Sequence, residues 1–326
     1  MKAIVYCDYG PADVLRLAEI DKPSPTDDQL LVRVRGVSVN PLDWHYMRGT
    51  PYVMRAEVGM RKPKVRQLGV DFAGVVEGVG KNVTDYKPGD EVFGGRNGAF
   101  AEYVCVRADR GVTRKPADIT FEQAASVPIA GVTALQSLRD TAKLQAGQSV
   151  LINGASGGVG TFAVQIAKSM GAEVTGVCSS KNVELVRSLG ADRVIDYTKE
   201  DFTKGGQTYD VILDTVGNHS LLDCRRALKA NARYVSIGGG GPDNQGFIGP
   251  LVRPAKAMVL SWFVSQQMGT MFADLNKKDL NILSELMAAG KVKPVIDRTY
   301  SLAEMPEAIR YLEGGHARGK VVVRVD

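Results

Sequence analysis

Residues 149–160 read SVLINGASGGVG, and the run that follows, TFAVQIAKSMG, keeps its apolar residues at helical spacing. An apolar strand that stops in a glycine string and restarts as an amphipathic helix is the opening of a parallel β-α-β unit. Set against the pattern G-x-G-x-x-G, the turn reads Ala155-Ser156-Gly157-Gly158-Val159-Gly160, with alanine in the first glycine's place. Gly157 lets the backbone come close to a pyrophosphate, and Gly160 lets the helix close on the strand. The N–H groups at the helix start then face anionic oxygens with the helix dipole behind them. The competing reading is a tight β–α turn that holds no ligand. The strand before it and the helix after it favour a dinucleotide site.

The pattern around this turn predicts two domains, as a chain of 326 residues allows. From residue 149 onward, strand runs (SVLING, EVTGV, RVID, YDVILDTVG, ARYVSIGGG) alternate with helical runs such as KNVELVRSLGA, which predicts a doubly wound parallel sheet. The first third is different. LLVRVRGVSV (30–39) alternates as a half-buried strand, VDFAGVVEGV (70–79) and FAEYVCV are further β-rich runs, and Gly and Pro separate them. Short strands so punctuated predict a compact barrel-like β domain. FEQAASVPIAGVTALQSLRD has helical spacing, and KKDLNILSELMAAGKV is an amphipathic helix with Leu280, Leu283 and Leu286 or Met287 on one face. The last run, GKVVVRV, is a strand expected to return to the first domain. The expected division is 1–125 with 274–326 for the β domain and 126–273 for the nucleotide domain.

The second strand of the nucleotide domain bears on which cofactor is bound. An NAD site wants an acid about 20 residues past the turn, on the ribose 2′-hydroxyl. That place holds Cys178-Ser179-Ser180-Lys181, with no acid before Glu184. A carboxylate there would repel a 2′-phosphate, whereas serine hydroxyls and a lysine would bind one, so NADPH is expected over NADH. The bland alternative is a solvated loop with an incidental lysine.

The net charge is +5, a mild excess for this length that fits an anionic cofactor. No concentrated basic stripe or RNP-like aromatic motif is present, so no nucleic acid is expected. No apolar run reaches the ~20 residues of a membrane span. The N-terminal MKAIVYCDYG has no charged-then-apolar signal pattern, and the four cysteines, Cys7, Cys105, Cys178 and Cys224, are scattered. A reducing compartment, the cytoplasm, is the expected location.

Several markers stand in one order: VSVNPLDW (37–44), LGVDFAGVVEGVG (68–80), KPGDEVFG (87–94), the glycine turn, LGADRVIDY (189–197), DTVG (214–217) and GHARGKVVV (315–323). Over essentially its whole length the chain resembles the medium-chain dehydrogenase/reductase superfamily, in its zinc-lacking quinone oxidoreductase branch. With GKVKPVIDRTY (290–300), it is most similar to the reticulon-interacting quinone oxidoreductases and bacterial alkenal or enone reductases. The resemblance implies an α/β fold with a GroES-like β-barrel domain and a Rossmann domain, and a homodimer joined at the Rossmann sheet edge. It puts Asn40 near the nicotinamide and Thr133 on the opposite wall. Ser180, Lys181 and Tyr197 match positions around the 2′-phosphate and adenine. Val216 and Gly238 match positions where the sheet edge meets the cofactor, and Lys320, in a returning segment that borders the active site, is expected to contact the cofactor.

Zinc members of the superfamily carry Cys, His-Glu and a further Cys or Asp. Here VSVNPLDW has no cysteine, the His-Glu place reads Val70-Asp71, and VPIAGVTA has neither Cys nor His. Tetrahedral zinc needs three or four converging ligands, so no metal is expected. Without a Lewis acid the expected substrate is a quinone or an α,β-unsaturated carbonyl, in which the charge of added hydride spreads over a conjugated system. Asn40 is the expected hydrogen-bond donor. His45 could protonate the enolate or line the pocket, with packing the commoner role for such a residue. Two alternatives remain open: a zinc-type alcohol dehydrogenase relative, and a catalytically idle NADPH-binding protein of the crystallin or RNA-binding kind. The basic loop of Arg55, Arg61, Lys62, Lys64 and Arg66 could steer an anionic substrate or be merely solvated. The segment 247–272 could be a lid, a dimer surface, a membrane contact or core.

Overall fold

The structure, a computed structural model, describes residues 1–237 and 264–326. They fall into two units: Met1–Val132 with Asp274–Gly290 and Pro294–Asp326, and Thr133–Ala273 with Lys291–Lys293. In chain order the strands are β1 (Lys2–Val5), β2 (Arg16–Glu19), β3 (Gln29–Val39), β4 (Asp71–Val79), β5 (Glu91–Gly95), β6 (Tyr103–Arg107) and β7 (Val112–Arg114). There follow β8 (Ser149–Asn153), β9 (Glu173–Cys178), β10 (Arg193–Asp196), β11 (Tyr209–Asp214), β12 (Leu228–Ile237), β13 (Gln267–Met271), β14 (Ile296–Ser301) and β15 (Lys320–Arg324).

In the first unit the long strand β3 organises a seven-stranded sheet. One of its edges pairs with β4; the other pairs with β6 along Gln29–Arg33 and then with β15 along Gly36–Val39. The hydrophobic–polar alternation of LLVRVRGVSV holds only for its first half. From Gly36 to Val39 both faces are covered, because helix Phe121–Ala125 lies so close that a Cβ on Gly36 would stand 3.2 Å from the Phe121 carbonyl oxygen. The C-terminal strand does return here: Val321 pairs with Val39 and Val323 with Val37. That register sets Lys320 beside the end of β3. The helical run from Phe121 onward breaks at Pro128, which lacks an N–H and cannot continue a preceding turn; helices Phe121–Ala125 and Pro128–Gln136 result. Helix Lys277–Ala288 buries Leu280, Leu283 and Met287.

The second unit is a six-stranded parallel sheet in the order β10-β9-β8-β11-β12-β13. Counted from β8 this is 3-2-1-4-5-6, the doubly wound dinucleotide order, which reverses direction between β8 and β11. Helices Gly158–Ser169, Val183–Ser188 and Leu221–Arg226 connect the strands. Of the apolar segment 247–272, residues 247–263 lie outside the described residues. In the remainder Met268 and Met271 are buried on the sixth strand, and Phe272 is exposed. Among the described residues no helix is long and apolar enough to cross a membrane.

Candidate active site

The glycine turn sits at the reversal point of the parallel sheet. Asn153 ends β8 and is tied across to β11: its Nδ2 donates to Asp214 Oδ1 at 2.9 Å, and its carbonyl accepts from the Thr215 amide at 3.1 Å. Gly154 takes a φ of +86°, and a Cβ there would meet Thr215 Oγ1 at 2.3 Å and Val216 Cγ2 at 2.8 Å. Val216 therefore stands against the turn, 43% exposed. At Gly160 a Cβ would stand 2.1 Å from the Gly154 carbonyl oxygen, so the helix can cross the turn this closely only with glycine. At Gly157 the nearest atom is 3.4 Å away, which leaves space beside the backbone. Gly157 is the N-cap and offers no side-chain acceptor. The first amides of the helix, those of Gly158, Val159 and Gly160, have no intrahelical acceptor by construction, and Ser156 through Val159 are half-exposed. Uncapped amides above an open glycine backbone fit a pyrophosphate. Ala155 is tolerated in the first glycine's place because its methyl faces Gly176 on the neighbouring β9; a Cβ on Gly176 would lie 3.0 Å from it.

The end of β9 carries Ser179, Ser180 and Lys181. Lys181 is exposed. Ser180 Oγ donates to Asp196 Oδ2 at 2.5 Å and also lies 3.0 Å from Thr198 Oγ1. The Ser180 hydrogen bond, with those of Thr198, holds the Asp196 carboxyl well below its ordinary range, at about 2. Tyr197, beside it, is 55% exposed. Asn182 Nδ2 donates to Ser156 Oγ at 3.0 Å and joins this loop to the glycine turn. Thr133 is buried on helix Pro128–Gln136, and Gly238 lies outside the described residues.

In the first unit, five polar side chains are buried together: Ser38, Asn40, Asp43, Asp71 and Lys320, none more than 3% exposed. Asn40 follows β3 directly and caps helix Pro41–Arg48. Its Nδ2 donates to Asp71 Oδ2 at 2.8 Å, and its Oδ1 accepts from Lys320 Nζ at 2.6 Å. Asp71 Oδ2 also accepts from Ser38 Oγ at 2.8 Å and lies 3.7 Å from Lys320 Nζ; Asp71 Oδ1 accepts from the Ile129 amide at 3.0 Å. Lys320 Nζ also donates to the Val39 carbonyl at 3.3 Å. Burial raises the pKa of Asp71 and lowers that of Lys320, and their mutual attraction opposes both shifts. Asp43 accepts from the Asn40 backbone amide at Oδ2, 2.7 Å away, while its buried Oδ1 has no hydrogen-bond partner among the described residues. Burial, with the charge of Asp71 adding, pushes Asp43 up to about 8, so at neutral pH it holds a proton. The cluster then contains one ion pair and one neutral acid.

His45 lies on the same helix. Its Nδ1 is 2.8 Å from the Thr50 carbonyl, and its ring stacks on Trp44 with centroids 3.7 Å apart. Burial lowers its pKa, so the ring is neutral. A carbonyl only accepts, which places the hydrogen on Nδ1 and leaves Nε2 as an acceptor. Of the basic loop, Arg55 is stacked on Tyr9 and Tyr52 and bonded to the Gly49 carbonyl, Lys62 pairs with Asp8, and Arg61, Lys64 and Arg66 are exposed. Among the described residues no three side chains of His, Cys, Asp or Glu converge as metal ligands would.

Residues 26–117 match the family described as alcohol dehydrogenase GroES-like domain, and residues 189–323 the family described as zinc-binding dehydrogenase. The mitochondrial NAD(P)H oxidoreductase RTN4IP1 of Mus musculus is 36% identical over 359 residues, spanning 100% of this chain and 89% of that protein. This chain belongs to the medium-chain dehydrogenase/reductase superfamily, in its quinone oxidoreductase branch. It is an oxidoreductase. The chloroplastic NADPH-dependent alkenal/one oxidoreductase of Arabidopsis thaliana is also 36% identical, over 99% of this chain and 79% of that protein. Among solved structures, the quinone oxidoreductase from Coxiella burnetii superposes with a TM-score of 0.87 at 30% identity, covering 100% of this chain and 99% of that one. The GroES-like domain and Rossmann sheet expected from the sequence are present. Four residues bonded into the buried polar cluster or the loops at the glycine turn do not stand out in the sequence for that place: Ser38, Asp71 as a buried anion, Asn182 and Asp196. Only the polar Ser38 within the otherwise apolar end of β3 carried a sequence signal.

Proposed function

We propose that this oxidoreductase uses NADPH to reduce a quinone or an α,β-unsaturated carbonyl, with no metal in the chemistry. The observation that carries the reading is the way Asp71 is held. Both its oxygens accept from buried donors, Oδ2 from Ser38 and Asn40 and Oδ1 from the Ile129 amide, and Lys320 Nζ stands 3.7 Å from Oδ2. A carboxylate held by three hydrogen bonds, with an ammonium beside it, is a poor metal ligand, and its neighbour in the ligand position is Val70. Polarisation of the substrate then falls to hydrogen-bond donors, which suffice for a conjugated acceptor but serve a simple aldehyde poorly.

NADPH, when bound, supplies the hydride. The amides of Gly157, Gly158 and Val159, with Ala155 and Ser156, would hold its pyrophosphate. Lys181, with Ser179, would receive the 2′-phosphate, Tyr197 would flank the adenine, and Thr133 and Val216 would line the nicotinamide end. Asn40 donates its remaining Nδ2 hydrogen to the oxygen on which charge develops. His45, neutral with Nε2 as an acceptor, lines the pocket, and water provides the proton.

The test is NADPH consumption with a panel of quinones, 2-alkenals, enones and simple aldehydes, in the presence of a chelator, together with metal analysis of the purified protein. Turnover of quinones or enones without metal is expected. Turnover of simple aldehydes alone, or activity that depends on zinc at one per chain, overturns the proposal. Tight NADPH binding with no turnover of any acceptor favours the idle binding protein instead.

A further inference from the structure

A primary amide has one acceptor oxygen and one nitrogen with two hydrogens, and nothing in its shape decides which end points where. At Asn40 the neighbours decide. An ammonium can only donate and a carboxylate only accept, so Oδ1 must face Lys320 and Nδ2 must face Asp71. Turning the amide over would set its hydrogens against a cation and its oxygen against an anion, both buried. With Oδ1 and one Nδ2 hydrogen committed, the second Nδ2 hydrogen is left without a partner among the described residues. The bond from Lys320 does more than orient. It draws electron density toward Oδ1 and makes the opposite N–H a stronger donor, the mutual strengthening expected in a low-dielectric chain of hydrogen bonds.

We infer that Lys320 is a positioning residue: with Asp71 it fixes the rotamer of the Asn40 amide and strengthens its one free N–H, which receives the substrate oxygen as hydride adds. This rests on Asn40 being the donor of the proposed function. The inference moves Lys320 away from the direct cofactor contact expected from the sequence, because its ammonium is spent on Asn40, Val39 and Asp71 inside the first unit. The order of contacts is ammonium, amide, substrate oxygen, so charge reaches the substrate through a neutral group.

The test is a double-mutant cycle. Lys320→Met keeps the stem and removes the charge; it is expected to lower kcat about tenfold or more, as loss of a preorganised donor does, with KM for NADPH within about twofold. Asn40→Ala should lower kcat at least as far, and adding Lys320→Met to it should lower kcat no further, since residues acting through one another do not add. Independent, additive losses, or wild-type kcat in Lys320→Met, overturn the inference. Lys320→Met leaves Asp71 without its counter-charge and can fail to fold, so a second measurement uses the unmutated enzyme. With 15N-asparagine labelling, the Asn40 Nδ2 hydrogens, assigned by their loss in Asn40→Ala, should give two separate, slowly exchanging signals. Adding the saturated carbonyl product should move one and leave the other. A merged pair, or equal movement of both, overturns the inference. Should the wild-type enzyme reduce no acceptor, the proposed function falls, and the amide signals of the NADPH-bound protein alone decide whether the clamp exists.

Discussion

The hydroxyl hydrogen of Ser180 is given to Asp196 Oδ2 across 2.5 Å, and Thr198 Oγ1 donates to the other oxygen of the same carboxylate at 2.7 Å. Ser180 therefore has only lone pairs to show a phosphate, which needs donors. That leaves the exposed Lys181 as the cation for a 2′-phosphate. Lys181→Ala should cut kcat/KM for NADPH about 10- to 100-fold, the range of one charge-assisted hydrogen bond, and hardly change that for NADH. Ser180→Ala should cost less than Lys181→Ala. Steady-state kinetics with both cofactors checks this; a larger loss from Ser180→Ala would show that Ser180 breaks its bond to Asp196 when the cofactor binds.

The two glycines of the turn should respond differently to a methyl group. A Cβ at Gly160 would overlap the Gly154 carbonyl oxygen and two atoms of Ala155, all backbone that cannot give way, so Gly160→Ala should destabilise by roughly 3 kcal/mol or more. At Gly157 the methyl meets nothing closer than 3.4 Å, and the backbone is extended rather than left-handed. Gly157→Ala should fold normally yet bind NADPH at least about tenfold more weakly, because the methyl would fill the space left for the pyrophosphate. Thermal unfolding and a fluorescence titration with NADPH separate the two effects.

The strand–turn–helix of 149–169 was legible because every part of its signal is local: apolar run, glycines, helical spacing. The buried cluster was legible only in pieces. Asn40, His45 and Lys320 stood out as residue types near recognisable motifs. That Lys320 bonds to Asn40 depends on the β15–β3 register, which joins positions 280 residues apart. Periodicity tells which face of a strand is apolar, not which strand lies beside it. Ala155 is a similar case: whether alanine fits the first glycine's place is decided by Gly176 on the next strand, outside the motif. A hydroxyl can donate, which makes Ser180 a phosphate ligand on sequence alone; Asp196, which takes that hydrogen here, comes from a different strand.

His45 should be dispensable as an acid. Its Nδ1 hydrogen is held by the Thr50 carbonyl, and burial lowers the ring's pKa from its ordinary value, so it carries no proton to give at neutral pH. His45→Ala should keep kcat within about threefold, against the roughly 100-fold or larger loss that removal of a general acid brings. The kcat profile should show no ionisation that disappears in the variant. A larger loss, with an ionisation abolished by the substitution, would return His45 to the chemistry.

Asp43 should make the protein less stable as the solution becomes more alkaline. Burial first, and the charge of Asp71 second, push its folded-state pKa up to about 8, against about 3.9 for an aspartate in an unfolded chain. Between those values the folded protein holds a proton that the unfolded chain has released. Unfolding therefore releases a proton, and the contribution of Asp43 to stability, fully present below about pH 4, is lost as the pH rises to about 8. Asp71, also raised, contributes a slope of the same sign; Lys320, lowered, contributes one of opposite sign. The comparison of wild type with Asp43→Asn isolates the term, because asparagine can still accept the Asn40 amide hydrogen at the start of the helix and cannot titrate. Denaturant unfolding at about pH 5 and about pH 8 should show wild type losing more stability across the interval than the variant does. Equal losses in the two proteins would mean that Asp43 is ionised in the folded state at neutral pH, and that the unpartnered Oδ1 is then an anion neutralised through space by Lys320 rather than a neutral acid.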